Sequence, residues 1–542
     1  MLTQSFRGLE PVVLTSDALP TEEVFSGYAF AGTDLILGAN GLRLHRARHG
    51  TAFGHHEDGC YILATPSESG LRIGTDFKGN CKIFVYRSAS RWAVANSFAD
   101  LVKIVREKQW PVTLRRHVVE SWQVPGRFWD QSWSYRTTVE EISLLPRWGL
   151  LDASHEGLRE IDPEPLRNHE DYDAYLGGLE EYLNVWIGRI GTILSEDSLR
   201  VQLELTGGKD SRGVLALFLA ARQYFGVDLG QHVNFMSSQA AGKGADLAVA
   251  KELAAAYGLP LNRKKFTQGP ATHLTAPQQI SWWGSFAFGS YRPIYLVSPR
   301  RHLATLPFGG QGGEGTRQQY EPFPDLAALL DHNAKHFRSR ESFEAAVADV
   351  EESIARIRAW TPRLPELLAH YQEFRDRFHS GLHPQTRPRV VPLTGRHLHA
   401  AARSLPEAHL LQAQALRDLT AQSAPGLLQR PYDDPSKAPN AFNLASLAPP
   451  LTLNPTMGEV YGGSVESTSP QPDSTSAWSL VLDWFSDAVR RVPRELVSED
   501  VITLAKQRAV DTPDTAGASR AGPSRPIHHV LLADFLANGT LP

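Results

Sequence analysis

Residues 201–221 read VQLELTGGKDSRGVLALFLAA. The segment is a strand-like VQLEL, a tight Gly-Gly turn, and an apolar run of helical length that opens on Asp210 and Ser211. Paired glycines let backbone N–H groups approach an anion without Cβ interference, and a helix N-terminus adds partial positive charge. Phosphate is the natural occupant of such a turn. Ser211 offers a hydroxyl donor to a phosphate oxygen, and Asp210 offers the hard oxygen ligand that Mg²⁺ prefers. The turn is not a Walker A loop, which needs G-x-x-x-x-G-K-[ST]. A Gly-Gly turn between strand and helix is common by itself, so its surroundings decide the reading.

Downstream, strand signals alternate with long helical patterns: GVLALFLAARQYF at 213–225, ADLAVAKELAAAYG at 245–258 and DLAALLDHNAKHF at 325–337. This is the rhythm of a parallel sheet covered by helices, turning mostly helical beyond 325. Upstream, residues 171–194 carry apolar side chains at helical spacing. Before about 160 the chain is a series of short β-rich stretches broken by Gly, Asp and Asn, including GYAFAGTDLILGANGLRLHR at 27–46, GCYILATP at 59–66, LRIGTDF at 71–77, CKIFVYR at 81–87 and RWAVANS at 91–97. The expected organisation is a β-rich α+β domain over 1–160, an α/β domain with a parallel sheet and a helical C-terminal part over 161–460, and a partly flexible extension over 461–542. The segments 462–477 and 510–526, rich in Ser, Thr, Pro and Gly, read as loose. There is no internal repeat.

A chain of 542 residues with 42% hydrophobic and 21% charged residues is large enough for two cores. Net charge is −4 and no block of Lys or Arg appears, so the footprint of a nucleic-acid binder is missing. The two cysteines, Cys60 and Cys81, are too few for a disulfide framework and lack C-x-x-C spacing. With no secretory leader pattern and no run of about 18 apolar residues, the expectation is a soluble, cytoplasmic protein without a membrane partner. His45, His49, His55 and His56 cluster ahead of Cys60, but they straddle turns without zinc spacing, and solvated loop histidines are the expectation. Trp282 and Trp283 suit either an aromatic acceptor pocket or core packing.

At this point the chain resembles the asparagine synthetase family. Thr206, Gly207, Gly208, Lys209, Asp210 and Ser211 match its Ser-Gly-Gly-x-Asp-Ser loop with one conservative change, and Arg212 stands where the family often has a second serine. VNFMSS at 233–238 resembles the strand that holds adenine, which implies Met236 and Ser237 in nucleotide binding. ADLAVAKELAAAYGLPL at 245–261 resembles the helix that follows, with Asp246 at the acidic position. GGQGGEGTRQQY at 309–320 resembles the pyrophosphate loop, which implies Gly310 and Gly312 at the nucleotide and Glu314 beside Asp210 on Mg²⁺. VVPLTGRHLHAAARSLPEA at 390–408 and LLQRPYDDPSKAPN at 427–440 resemble two further family segments, and Lys437 falls near the family's catalytic lysine. The matches run from about 165 to 440, and in an open parallel sheet the two loops converge on one crevice.

The resemblance implies an ATP-pyrophosphatase-type synthetase domain preceded by a degenerate Ntn-type glutaminase domain. Glutamine-dependent members carry a cysteine after the initiator methionine. This chain has Leu2, so no ammonia is made there. The members that close β-lactam rings and cyclise lasso peptides share that loss. The implied reaction uses ATP and Mg²⁺ to adenylate a carboxylate and then forms an amide, either between two molecules or by closing a lactam or macrolactam in peptide or natural-product biosynthesis, with release of AMP and pyrophosphate. The implied partners are a carboxylate- and amine-bearing substrate, of which a small precursor peptide is one form, and a biosynthetic partner protein. Gln311 stands where asparagine synthetases have a glutamate and the β-lactam-forming relatives a tyrosine. A neutral amide cannot act as a base. The family's carboxylate before 390 is also replaced, so either the base lies elsewhere, with His379 and His383 as candidates, or the amine arrives already neutral. The rival readings are a non-catalytic scaffold or regulatory partner, and an adenylating ligase acting on a protein or RNA residue.

Overall fold

The computed structural model describes residues 8–50, 53–68, 70–89, 91–166, 170–240, 242–262, 271–296, 300–302, 305–386, 389–462, 476–512 and 523–539. Leu2 and most of the two segments read as loose lie outside them. The chain is mixed α/β, with antiparallel sheets first, a parallel sheet next, and helices dominating beyond residue 325. Among the described residues no helix is long and apolar enough to cross a membrane.

Ten strands precede residue 162 among the described residues: β1 (Val13–Thr15), β2 (Val24–Ala31), β3 (Asp34–Leu37), β4 (Gly59–Ser67), β5 (Gly70–Thr75), β6 (Phe84–Ser88), β7 (Arg91–Ala95), β8 (Ile142–Leu144), β9 (Leu150–Ala153) and β10 (Leu158–Ile161). They are followed by β11 (Arg200–Glu204), β12 (Val233–Met236), the pair β13 (Ala271–His273) and β14 (Arg300–His302), β15 (Thr305–Phe308) and β16 (Val460–Tyr461). One antiparallel sheet runs β1-β7-β6-β8, and a larger one runs β10-β9-β5-β4-β2-β3-β16. In the latter, β16 pairs parallel to β3, with Val460 opposite Leu35. The chain thus returns to its first sheet some 300 residues after leaving it. One expected β stretch differs: Gly38–His49 is a helix. Gly41, Leu42 and His45 are buried at spacings of one and three residues, a helical face rather than a strand's alternation.

The three-stranded sheet β12-β11-β15 is parallel throughout. Val201, Leu203 and Leu205 are fully buried while Gln202 and Glu204 stay partly open, so β11 buries one face and leaves a polar edge on the other. The helix Lys209–Phe225 that follows buries every residue from Ser211 to Ala221. It ends at Gly226, whose φ of 67° fits the left-handed cap that glycine takes most easily. The 23-residue helix Tyr172–Leu194 ties the two halves together through Arg189, which donates to Asp58 at 2.6 Å and to the Gly32 carbonyl at 2.8 Å.

The C-terminal stretch contributes the helices Ala477–Arg491, Glu499–Asp511 and Ser524–Asn538. Trp478, Phe485, Val530 and Leu532 are buried, and Arg106 donates to the carbonyls of Phe535 and Leu536. Trp283 joins this core against Phe288, Trp484 and His528, which is the packing alternative for the tryptophan pair.

His528 sits inside that core with Nδ1 bonded to the Arg292 carbonyl at 2.8 Å and Nε2 accepting from Gly289 N–H. His529 is fully buried and neither ring nitrogen has a hydrogen-bond partner. Burial pushes both histidines from 6.5 down to about 3. The folded state therefore binds fewer protons than the unfolded chain below pH 6.5, so the stability held at neutral pH is lost as pH falls from 6.5 toward 3. Each such group costs up to about 1.4 kcal/mol per pH unit. His529→Leu should leave stability at pH 7.5 equal or higher and flatten the fall in urea midpoint between pH 6.5 and 5. A mutant curve parallel to the unsubstituted protein's would contradict this.

Candidate active site

The carboxyl ends of β11 and β15 lie side by side because the two strands are parallel and paired, with Leu203 opposite Phe308. The turn 206–211 and the loop 309–317 therefore meet. A Cβ on Gly310 would fall 2.8 Å from the Ser211 nitrogen, and one on Gly313 would fall 2.3 Å from Asp210 Oδ1. Only glycine permits this contact. Gly312, at φ 93°, would meet Thr394 at 2.4 Å. Gly207 would meet Asp433 Cβ at 2.4 Å, so the turn also lies directly beneath the 433–437 segment. Gly208 differs. A Cβ there has only Thr206 Oγ1 within contact distance, at 3.7 Å, and the open side is available to a ligand.

The turn is held by its own side chains. Asp246 accepts from Gly207 N–H at 3.1 Å and pairs with Lys243 at 3.1 Å. Ser211 Oγ lies 2.8 Å from Thr206 Oγ1 and donates to the Thr206 carbonyl at 3.1 Å. Met236 and Ser237 end β12, on the far side of β11 from β15, and the Met236 carbonyl accepts from Leu205 N–H at 2.7 Å. The Ser237 hydroxyl is buried without a partner.

Asp210 and Glu314 flank one guanidinium. Arg317 grips Asp210 with two bonds, at 2.6 and 3.0 Å, and approaches Glu314 at 3.6 Å. Burial and then the charge of Asp210 push the Glu314 carboxyl up to about 7. Two hard-oxygen donors that repel each other are a donor set that suits Mg²⁺, and Arg317 lies between them.

A cleft of about 1400 Å³ opens from this point. Lys209, Arg317, Arg417 and Lys437 line it together with Glu314 and Tyr371, and so do Phe128, Tyr320, Phe323, Arg375 and His379. Burial, then Arg317 and Arg417, push Lys209 down to about 8, so its surroundings are crowded with positive charge in a way a polyanion would relieve. Lys437 Nζ pairs with Asp433. His379 is neutral at physiological pH, pushed down to about 4 by burial and then by Arg375, and its Nδ1 lies 2.6 Å from the Tyr291 hydroxyl. His383 instead packs against Tyr295.

Gln311 does not line this cleft. Its Oε1 is buried without a hydrogen-bond partner, and a Cβ on Gly309 would touch both that oxygen and the Arg389 guanidinium. Arg389 in turn pairs with Glu204 at 2.7 Å. A carboxylate therefore does lie near Gln311, supplied by the end of β11 rather than by the segment before 390 where sequence reading sought one.

Sequence reading also missed the arginines that assemble the site. Arg212 donates to the carbonyls of Leu427, Arg430 and Pro431 at 2.6, 2.9 and 2.5 Å and stacks 3.6 Å from the Tyr432 ring centre. Arg417 reaches the Lys437 carbonyl at 2.6 Å and the Tyr432 hydroxyl at 3.3 Å. Together they suspend Lys437 over the turn. The one signal for Arg212 was its position, directly after the Thr206–Ser211 motif.

Arg212→Ala leaves three carbonyls without their charged donor, so local opening of residues 427–437 should become easier by about 2–4 kcal/mol. Hydrogen exchange should accelerate there and stay unchanged in the strands β2 and β4. Unchanged exchange at 427–437 would show that the segment is held by other contacts. Neither models of known protein families nor curated proteins match this chain.

Proposed function

We propose that this chain is an ATP-dependent carbon–nitrogen ligase that adenylates a carboxylate and forms an amide, releasing AMP and pyrophosphate. The observation that carries the reading is the meeting of the Thr206–Ser211 turn, the Gly309–Arg317 loop and Lys437 at one large, cation-lined cleft. Lys209, Arg317, Arg417 and Lys437 bind the phosphates and stabilise charge on the leaving pyrophosphate. The open side of Gly208 and the N-terminus of the helix Lys209–Phe225 receive a phosphate oxygen. Met236, Ser237 and Asp246 border the nucleotide on the β12 side.

Asp210 and Glu314 would hold Mg²⁺ once Arg317 turns from them to the phosphates; bound there, the ion supplies Lewis-acid stabilisation of phosphate charge. In the first step a carboxylate oxygen of the substrate attacks the α-phosphorus and the bond to the β-phosphate oxygen breaks. In the second, an amine attacks the acyl carbon and AMP leaves. Lys437 stabilises the oxyanion, and the amine attacks in its neutral form and loses its surplus proton to water in the cleft, because burial holds His379 at about 4, too weak a base to keep it. Gln311 supports the loop beside Arg389 rather than moving a proton.

The size of the cleft favours an acid or amine larger than ammonia, such as a peptide or a natural-product intermediate. It also favours a ligase over a scaffold, which has no use for a cavity of that size lined by Lys209, Arg317, Arg417 and Lys437 beside Glu314. A net charge of −4 with no block of Lys or Arg in the sequence disfavours an RNA substrate.

Substrate-dependent exchange of labelled pyrophosphate into ATP tests the reading. Asp210→Asn keeps a hydrogen-bonding partner for Arg317 yet removes the charge, so the Mg²⁺ concentration for half-maximal exchange should rise at least about tenfold. Lys437→Ala should lower the overall rate by about 10²–10³. An unchanged Mg²⁺ requirement, or ADP and phosphate as the sole nucleotide products, would overturn it.

A further inference from the structure

A second cluster of ligating groups lies at the β16 edge of the seven-stranded sheet, among residues that the proposed ligase reading does not use. His45 and His49 are one turn apart on the helix Gly38–His49, so both imidazoles project from the same face, and their ring centres are 4.7 Å apart. Asp34, on the neighbouring strand β3, brings Oδ2 to 3.4 Å from His45 Nε2 and 3.8 Å from His49 Nε2. All three ligand atoms lie within 4.8 Å of one another. The other carboxylate oxygen, Oδ1, accepts from Glu459 N–H at 2.8 Å, which leaves Oδ2 turned to the two rings. Such an outer hydrogen bond is what orients a metal-binding carboxylate.

A fourth donor atom is present. The Tyr461 hydroxyl lies 2.9 Å from His49 Nε2 and donates to Glu459 Oε2 at 3.2 Å. Tyr461 belongs to β16, and its carbonyl is so close to the helix that a Cβ on Gly41 would fall 2.5 Å from it. The groups therefore come from three separate pieces of chain: β3, the helix after it, and the strand that returns from residue 460.

Plain histidine–carboxylate pairing fits these distances poorly. The 3.4 Å between His45 and Asp34 exceeds the roughly 2.9 Å of an N–H···O bond. Tetrahedral zinc with bonds of about 2.0–2.1 Å instead separates its ligand atoms by about 3.3 Å, close to the 3.4 Å between Asp34 and His45, and His49, at 3.8 Å from Asp34, needs only a small movement to join them. Two imidazoles, one carboxylate and an oxygen form a donor set that zinc accepts. Cys60 takes no part, since it is fully buried in β4 opposite Tyr28.

We propose that Asp34, His45 and His49 bind one Zn²⁺, with an oxygen from the 459–461 segment as fourth ligand, and that the ion clasps β16 to the edge of the first sheet. The site is structural, because the returning strand closes the position that a catalytic zinc would keep open.

The full-length chain is stripped with a chelator and titrated with Zn²⁺ alone against a competing chromogenic chelator, with hydrogen exchange followed at Val460 and Tyr461. One equivalent should bind in competition with the chelator, and exchange of those amides should slow. His49→Ala, at a partly exposed position, and Asp34→Asn should each weaken binding at least about 100-fold, since loss of an outer hydrogen-bonding group alone costs about 10–100-fold. His155→Ala, remote from the cluster in the fold, should leave it unchanged. Zn²⁺ binding equally to the chain and to both ligand variants would overturn the site, as would no competitive binding. Tight binding with unchanged exchange at 460–461 would overturn the clasp.

Discussion

The parallel pairing of β15 with β11 is the constraint on which the candidate site depends. Two strands that run the same way and exchange hydrogen bonds end at the same edge, so the turn after one and the loop after the other are forced together although about a hundred residues separate them. The glycines follow from that pairing. At Gly310 and Gly313 one turn leans against the other with no room for a Cβ, and at Gly207 the 433–437 segment closes from above. Gly208, by contrast, has only Thr206 Oγ1 near the place of a Cβ, at 3.7 Å, and no steric contact of the protein requires a glycine there.

Once the backbone has brought these loops together, arginines hold them. Arg212 gathers three carbonyls of the 427–431 segment, Arg417 fixes the backbone at Lys437, and Arg317 lies between Asp210 and Glu314. A planar donor with several N–H groups can satisfy many carbonyls that would otherwise be buried unpaired, a task lysine performs poorly. The same residues give the cleft its charge. Lys209, pushed down to about 8 largely by burial and by neighbouring cations, records the crowding.

The strand–turn–helix at 201–221 was legible because it is local: alternation, paired glycines and an apolar helix are all read within one window. The β-rich start and the helical run after 325 were legible for the same reason. What escaped was built from distant partners. Arg212, Arg317 and Arg389 look like ordinary surface charges until the segments they bind are known, and Glu204 had no apparent role before Arg389 met it. The two-residue strand at 460–461 is too short to carry a pattern, yet it extends the first sheet. His45 and His49 were read as solvated residues on turns, because the β-like neighbourhood hid the helix that brings both rings to Asp34.

The central claim is that ATP binds with its phosphates among the cations of the cleft. A crystal structure of the chain with Mg²⁺ and an ATP analogue whose α–β bond cannot be cleaved tests it most directly. The account predicts phosphate density between Gly208, Lys209 and Lys437, with Arg317 released from Asp210 and a cation on Asp210 and Glu314. Nucleotide bound elsewhere, or an Asp210–Arg317 pair left intact beneath a nucleotide that makes no contact with the turn, would contradict it.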